Sequence, residues 1–215
     1  MDKTFIIDYF NNNAFPIIIE VFLIISFLIL PSEAHIYVNT LFYLLLFVYI
    51  IYKKDFSLKD WLAYIKSEKD FWKKTLLTIF GFIFAVFISL LLENAFPNLN
   101  TGEIKLYVNN WPSLLCFVLS TILLPAITEE TVFRKNMIVL NKKVLLFTSL
   151  LSMLLYSLEH FLAIWGLLLG VIWAIPLTIS YIKTKDVYIP MTAHFIVGLF
   201  GNGLDVIKLF IKMFN

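Results

Sequence analysis

The stretch Ser113–Leu140, SLLCFVLSTILLPAITEETVFRKNMIVL, decides how the chain is read. It begins with a run that holds no charge and then sets Glu129, Glu130 and Arg134 at or inside the edge of that run. At 1.5 Å per residue, a helix of about 20 such residues crosses the ~30 Å hydrocarbon core of a bilayer. A charged side chain there costs about 2.5–3.5 kcal/mol on insertion scales, so it is usually paired or functional.

The rest of the chain has the same character. Of its 215 residues, 60% are hydrophobic and 15% charged, and the mean hydropathy is +0.87. A soluble domain is roughly a quarter charged. Six more apolar segments can be drawn: Ala14–Leu30, Ile36–Tyr52, Thr75–Leu92, Val144–Trp165, Gly166–Ile182 and Ile189–Phe210. The expected fold is therefore all-α, a polytopic transmembrane helical bundle of about seven spans. It forms a single membrane domain over residues 1–215. The fifth and sixth segments touch at Gly166, where a tight turn has to fit.

Charge between the segments sets an orientation. The linker Lys53–Lys74 holds seven lysines against four acids, whereas Glu93–Pro112 is poor in lysine. The positive-inside rule puts the first linker and the N-terminus in the cytoplasm. Within that linker, FSLKDWLAYI has one apolar face and is expected to form a short interfacial helix. The N-terminal residues show no small-residue cleavage pattern, so no removable signal peptide is expected. A net charge of +2 gives no reason to expect nucleic acid. The single cysteine, Cys116, lies in an apolar run and reads as a small buried side chain.

The polar residues inside apolar segments are few: Glu20, Glu129, Glu130, Arg134, Glu159, His160 and His194. Glu130 and Arg134 stand four apart and can pair on one helix face. Glu129 is rotated by about 100° from them and has no partner on its own helix. An unpaired carboxylate in an apolar setting suits a general base, and a histidine from another span could share its proton. Tyr156 precedes His160 by one turn on the same face. As structural alternatives, Glu129 is a helix-end carboxylate, the two histidines are interhelical hydrogen-bonding groups, and Glu130 with Arg134 is a clamp. Glu20 reads as structural or gating rather than catalytic.

These residues fall into three motifs in order. EETVFR fits E-E-x-x-x-R, YSLEH fits an aromatic-x-x-x-H pattern, and HFIVG stands where H-x-x-x-N or H-x-x-x-D is usual. From about Leu114 to Phe200 the chain resembles the CPBP family of CAAX proteases and bacteriocin-processing proteins, also called Abi. The family includes the type II CAAX prenyl endopeptidases and lysostaphin-resistance-protein-like proteins. Its core here runs over about residues 113–210. The resemblance implies an intramembrane endopeptidase without metal. It assigns water activation to Glu129, assistance to His160, oxyanion stabilisation to His194, and a supporting role to Glu130 and Arg134.

The sequence departs from the family at Gly198, which replaces the asparagine and has no side chain to donate. Asn202 lies a further turn along, about 80° off the face of His194. A zinc site of Glu129, His160 and His194 is the cofactor alternative, although H-E-x-x-H is absent. The expected substrate is a membrane-associated peptide or protein, with pheromone or bacteriocin processing and self-immunity as candidate roles. A lysine-, asparagine- and isoleucine-rich composition points to a bacterial plasma membrane and away from prenylated substrates. The competing reading is a scaffold that binds a membrane or cell-wall protein. A transporter finds no support, since the chain has no paired half-repeats.

Depth sets a test for a shared site. With the inner boundary at Leu140, Lys143 and Val187, straight helices put Glu129 about 17 Å deep, His160 about 25 Å and His194 about 10 Å. Tilt, a kink at Pro125 or a fifth segment that starts below the membrane would bring them level.

Overall fold

The computed structural model describes residues 3–214, and these fold as helices without a named strand. Two helices open the chain, α1 (Lys3–Asn12) and α2 (Ala14–Ile29), followed by α3 (His35–Tyr52). A short α4 (Leu58–Ser67) leads into α5 (Phe71–Ala95). The span Trp111–Asn136 contains α6 (Trp111–Val118) and α7 (Leu124–Glu129). Then come α8 (Leu145–Leu158), α9 (Ile164–Thr184) and α10 (Tyr188–Phe214).

Among the described residues, five helices are long and apolar enough to cross a membrane, against the expected seven. The first expected span, Ala14–Leu30, is α2; it meets α1 at 66°, and this bent pair counts as a sixth span only if the two cross together. The expected span Val144–Trp165 is corrected: its helix covers only Leu145–Leu158. Fourteen residues reach about 21 Å, short of a hydrocarbon core. Leu28, Val48, Leu77, Phe80 and Leu146 all turn outward and remain exposed, as lipid-facing side chains do. With this belt of apolar surface, the protein is an integral membrane protein.

α8 stops because its continuation has other backbone partners. Leu162 N donates to Gly102 O at 2.9 Å, and Ile104 N donates to His160 O at 3.0 Å. Glu103 and Phe161 thereby form an antiparallel bridge. Non-helical backbone at membrane depth is tolerated only where protein buries and satisfies it. Gly166, just inside α9, permits the close approach, since a Cβ there would overlap Thr101 O. Gly166→Ala should cost about 1–3 kcal/mol, read as a lower midpoint in detergent thermal unfolding; an unchanged midpoint would mean that this strap, residues 101–106, does not pack there.

The span Trp111–Asn136 is well started. Asn110 and Ser113 form a capping box, with Pro112 in the first turn. Two π-helical stretches, Leu119–Leu123 and Glu130–Asn136, then interrupt it. A π turn shifts the phase of the side chains and leaves carbonyls without their usual amides. Neighbouring helices supply side-chain donors. Asn202 of α10 donates to Thr121 O at 2.8 Å, Asn39 of α3 to Ser120 O at 3.5 Å, and Ser152 of α8 to Phe133 O at 2.6 Å.

α4 matches the short helix expected in the lysine-rich linker. Ser57 caps it by accepting from Asp60 N at 3.2 Å. Its one buried residue, Trp61, donates from Nε1 to Thr192 Oγ1 at 2.8 Å, tying the linker to α10.

Candidate active site

Glu129 ends α7 and has no exposed surface. Its Oε1 accepts from the Tyr43 phenol at 2.6 Å, and its Oε2 meets no donor. The same phenol lies 3.0 Å from Glu159 Oε2, so α3 and the end of α8 converge on this carboxyl.

Glu130 turns the other way. Its Oε1 is 2.9 Å from His194 Nδ1, and its Oε2 is 3.3 Å from Arg134 Nε. The expected four-residue pairing is present as an ion pair, but the N–H directions do not make it a hydrogen bond. Arg134 is fully buried and lies 4.5 Å over the Tyr156 ring, a cation–π contact that shares in holding its charge.

His194 Nδ1 is 3.9 Å from Glu129 Oε2 as well, so one imidazole edge faces both glutamates. His160 follows α8 on the turn; its ring centroid is 4.9 Å from that of Tyr156, and its Nε2 is buried without a partner. Glu129, His160 and His194 line one cavity of about 690 Å³. The depth arithmetic fails because His160 lies beyond the end of α8, on the turn held by the strap, and the span of Glu129 contains π turns.

Asn202 lines the same cavity, but its amide donates to Thr121 O in the first π turn, so it does not take the place of the missing asparagine. Gly198 lines the cavity too, and a Cβ there would meet only Thr121 O, at 3.6 Å. An asparagine at 198 therefore has room.

Three contributors were not found in the sequence. Tyr43 and Asn39 both line the cavity from α3. A mid-span asparagine is a usable signal, whereas tyrosine reads as an interface anchor. The third is the part of the strap from Glu103 to Leu106, which also lines the cavity. Its residues alternate between exposed and half-buried, but four residues of loop give no periodicity to read.

Glu129, Glu130 and His194 each offer one ligand atom within 4.8 Å of the others and could hold a cation. This trio has Glu130 where the expected zinc set had His160. Arg134 already supplies positive charge to Glu130, which lowers the need for a metal there.

Residues 111–200 match the family described as type II CAAX prenyl endopeptidase Rce1-like. Over this segment, under half of its length, the chain is similar to the CPBP, or CAAX protease, family. The matched segment begins at α6 and ends within α10, so it holds Glu129, His160 and His194 but not Tyr43 or the strap. No curated protein and no solved structure matches the chain.

Proposed function

We propose that the protein is an intramembrane endopeptidase that hydrolyses a peptide bond in a membrane-associated peptide or protein. The observation that carries the reading is Glu129 Oε2, a buried carboxylate oxygen without a donor, on a cavity that His160 and His194 share. Water positioned there gives a proton to Oε2 while its oxygen bonds to the substrate carbonyl carbon. The carbonyl π electrons move to oxygen, and His194 stabilises that oxyanion. When the oxyanion collapses, the C–N bond breaks and Glu129 returns its proton to the leaving amine. His160 assists by holding the water. Glu130 and Arg134 fix His194, whose Nδ1–H points to Glu130, so donation from Nε2 requires the imidazolium form.

The strap favours a peptide as substrate. Ile104 N and Gly102 O face residues 160–162, so the backbone groups of Glu103 and Lys105 form the open edge. An extended peptide can pair with such an edge by strand addition. By the positive-inside rule, α4 lies on the cytoplasmic side and the strap on the opposite one. A bacterial plasma membrane, and pheromone or bacteriocin processing or self-immunity, fit this reading.

Gly198 favours a second reading, a lapsed peptidase that binds a partner. Proteoliposomes carrying the protein are incubated with membrane extract, and new peptide termini are identified by mass spectrometry. The peptidase reading expects products absent from empty liposomes; a bound protein without new termini supports the binder. On any product found, His194→Ala should cost at least about 10²-fold. Gly198→Asn should raise turnover or leave it unchanged, and full cleavage by His194→Ala would remove the oxyanion assignment.

A further inference from the structure

The Tyr43 phenol sits between two carboxyl groups, 2.6 Å from Glu129 Oε1 and 3.0 Å from Glu159 Oε2. A phenol has one O–H, and an ionised carboxylate only accepts. The hydroxyl can therefore serve one of the two. The other contact is a hydrogen bond only if that carboxyl carries a proton and donates to the phenol oxygen. The distances say which. An O–H donating to a charged oxygen is typically 2.5–2.7 Å long, and neutral pairs run longer. The short contact at 2.6 Å marks Glu129 as the charged acceptor.

The surroundings agree. Glu159 is 4% exposed and Glu20, from α2, is 1% exposed. The Glu159 carboxyl lies against those of both Glu20 and Glu129. Both Glu20 oxygens and Glu159 Oε1 lack donors. Arg134, the arginine of this region, is committed to Glu130, and no lysine pairs with either group among the described ion pairs. Several ionised carboxylates buried together without cations are costly, and protonation relieves the cost.

We propose that Glu159 is a protonated carboxylic acid that donates to Tyr43, which in turn donates to Glu129. Tyr43 and Glu159 are then positioning residues: they hold Glu129 Oε1 and leave Oε2 as the basic oxygen. The chain runs from α8 through α3 to α7, so it also fixes three elements around the base. What Glu129 does rests on the peptidase reading, but the chain of hydrogen bonds does not.

Infrared spectroscopy of the purified protein in lipid tests the chain without any substrate. The carbonyl stretch of a protonated carboxylic acid should be present in the wild type, absent in Glu159→Gln, and retained in Glu20→Gln. In Tyr43→Phe it should persist at higher frequency, because the acid has lost its acceptor. That variant keeps the test valid if Glu159→Gln fails to fold. No acid band removed by Glu159→Gln, or no shift in Tyr43→Phe, overturns the proposal. With a cleavable peptide from the liposome experiment, Tyr43→Phe and Glu159→Ala should lose about 10-fold in kcat at unchanged KM. Glu159→Gln, whose amide still donates to the phenol, should recover most of that loss. Losses in KM alone would make both residues part of substrate binding instead. If no peptide is cleaved, the peptidase reading fails while the infrared result still decides the chain.

Discussion

Glu129→Gln should lower cleavage by about 10²–10⁴-fold, the usual contribution of a general base, with the protein still at normal abundance. The two halves of this expectation come from different oxygens. Glutamine keeps a carbonyl to accept from Tyr43, which now holds Oε1 at 2.6 Å. It replaces the donor-free Oε2 with an amide that cannot take a proton from water. The same variant therefore separates chemistry from folding. Western blotting of membranes gives abundance, and product quantification by mass spectrometry gives activity. Equal product from both proteins would remove Glu129 from the reaction. A scaffold should tolerate the change in any assay of partner binding.

Arg134→Ala should behave differently, with abundance falling along with activity. The guanidinium is fully buried, paired with Glu130 at 3.3 Å and stacked on Tyr156 at 4.5 Å. Removing one partner of a buried pair costs about 3–5 kcal/mol, because the other charge is left behind. For Glu130 the loss leaves His194 as its one close charge partner, and His194 is itself held by that carboxylate at 2.9 Å. Arg134→Lys should recover only part of the loss, since an ammonium keeps the charge but not the planar stack on Tyr156. The readouts are steady-state level in membranes and unfolding temperature in detergent. Normal abundance with activity lost would place Arg134 against substrate instead.

How much was legible in the sequence varied by element. Segments such as Thr75–Leu92 and Ile36–Tyr52 read correctly because a long apolar run between charged linkers has one economical solution in a bilayer. Glu130 and Arg134 read correctly as a pair because four-residue spacing survives a local π turn. Val144–Trp165 misled because composition alone does not say that a helix ends. It ends at Leu158 because Gly102 and Ile104 of the distant strap satisfy the backbone of residues 160–162. What Asn202 does instead was not legible, because the carbonyl it reaches belongs to a π turn and spacing assumes regular helices. Tyr43 carried no signal, because tyrosines in membrane helices usually anchor at interfaces. Here the phenol lies on α3 between two glutamates from elsewhere in the chain.

The three motif residues came together through irregular backbone rather than through matched helix depths. The π turns rephase the span of Glu129, and the turn after α8 carries His160 to the strap. Such interruptions are costly in lipid unless side chains satisfy the freed groups, as Asn39, Ser152 and Asn202 do here.

The most direct measurement is hydrolysis of an identified membrane peptide in water enriched in oxygen-18, with purified protein in liposomes. Wild type should place one heavy oxygen in the new C-terminal carboxyl of the product, and Glu129→Gln should form that product about 10²–10⁴-fold more slowly. Labelled product from Glu129→Gln at the wild-type rate, or no cleavage by the wild type of any peptide from its own membranes, would contradict this.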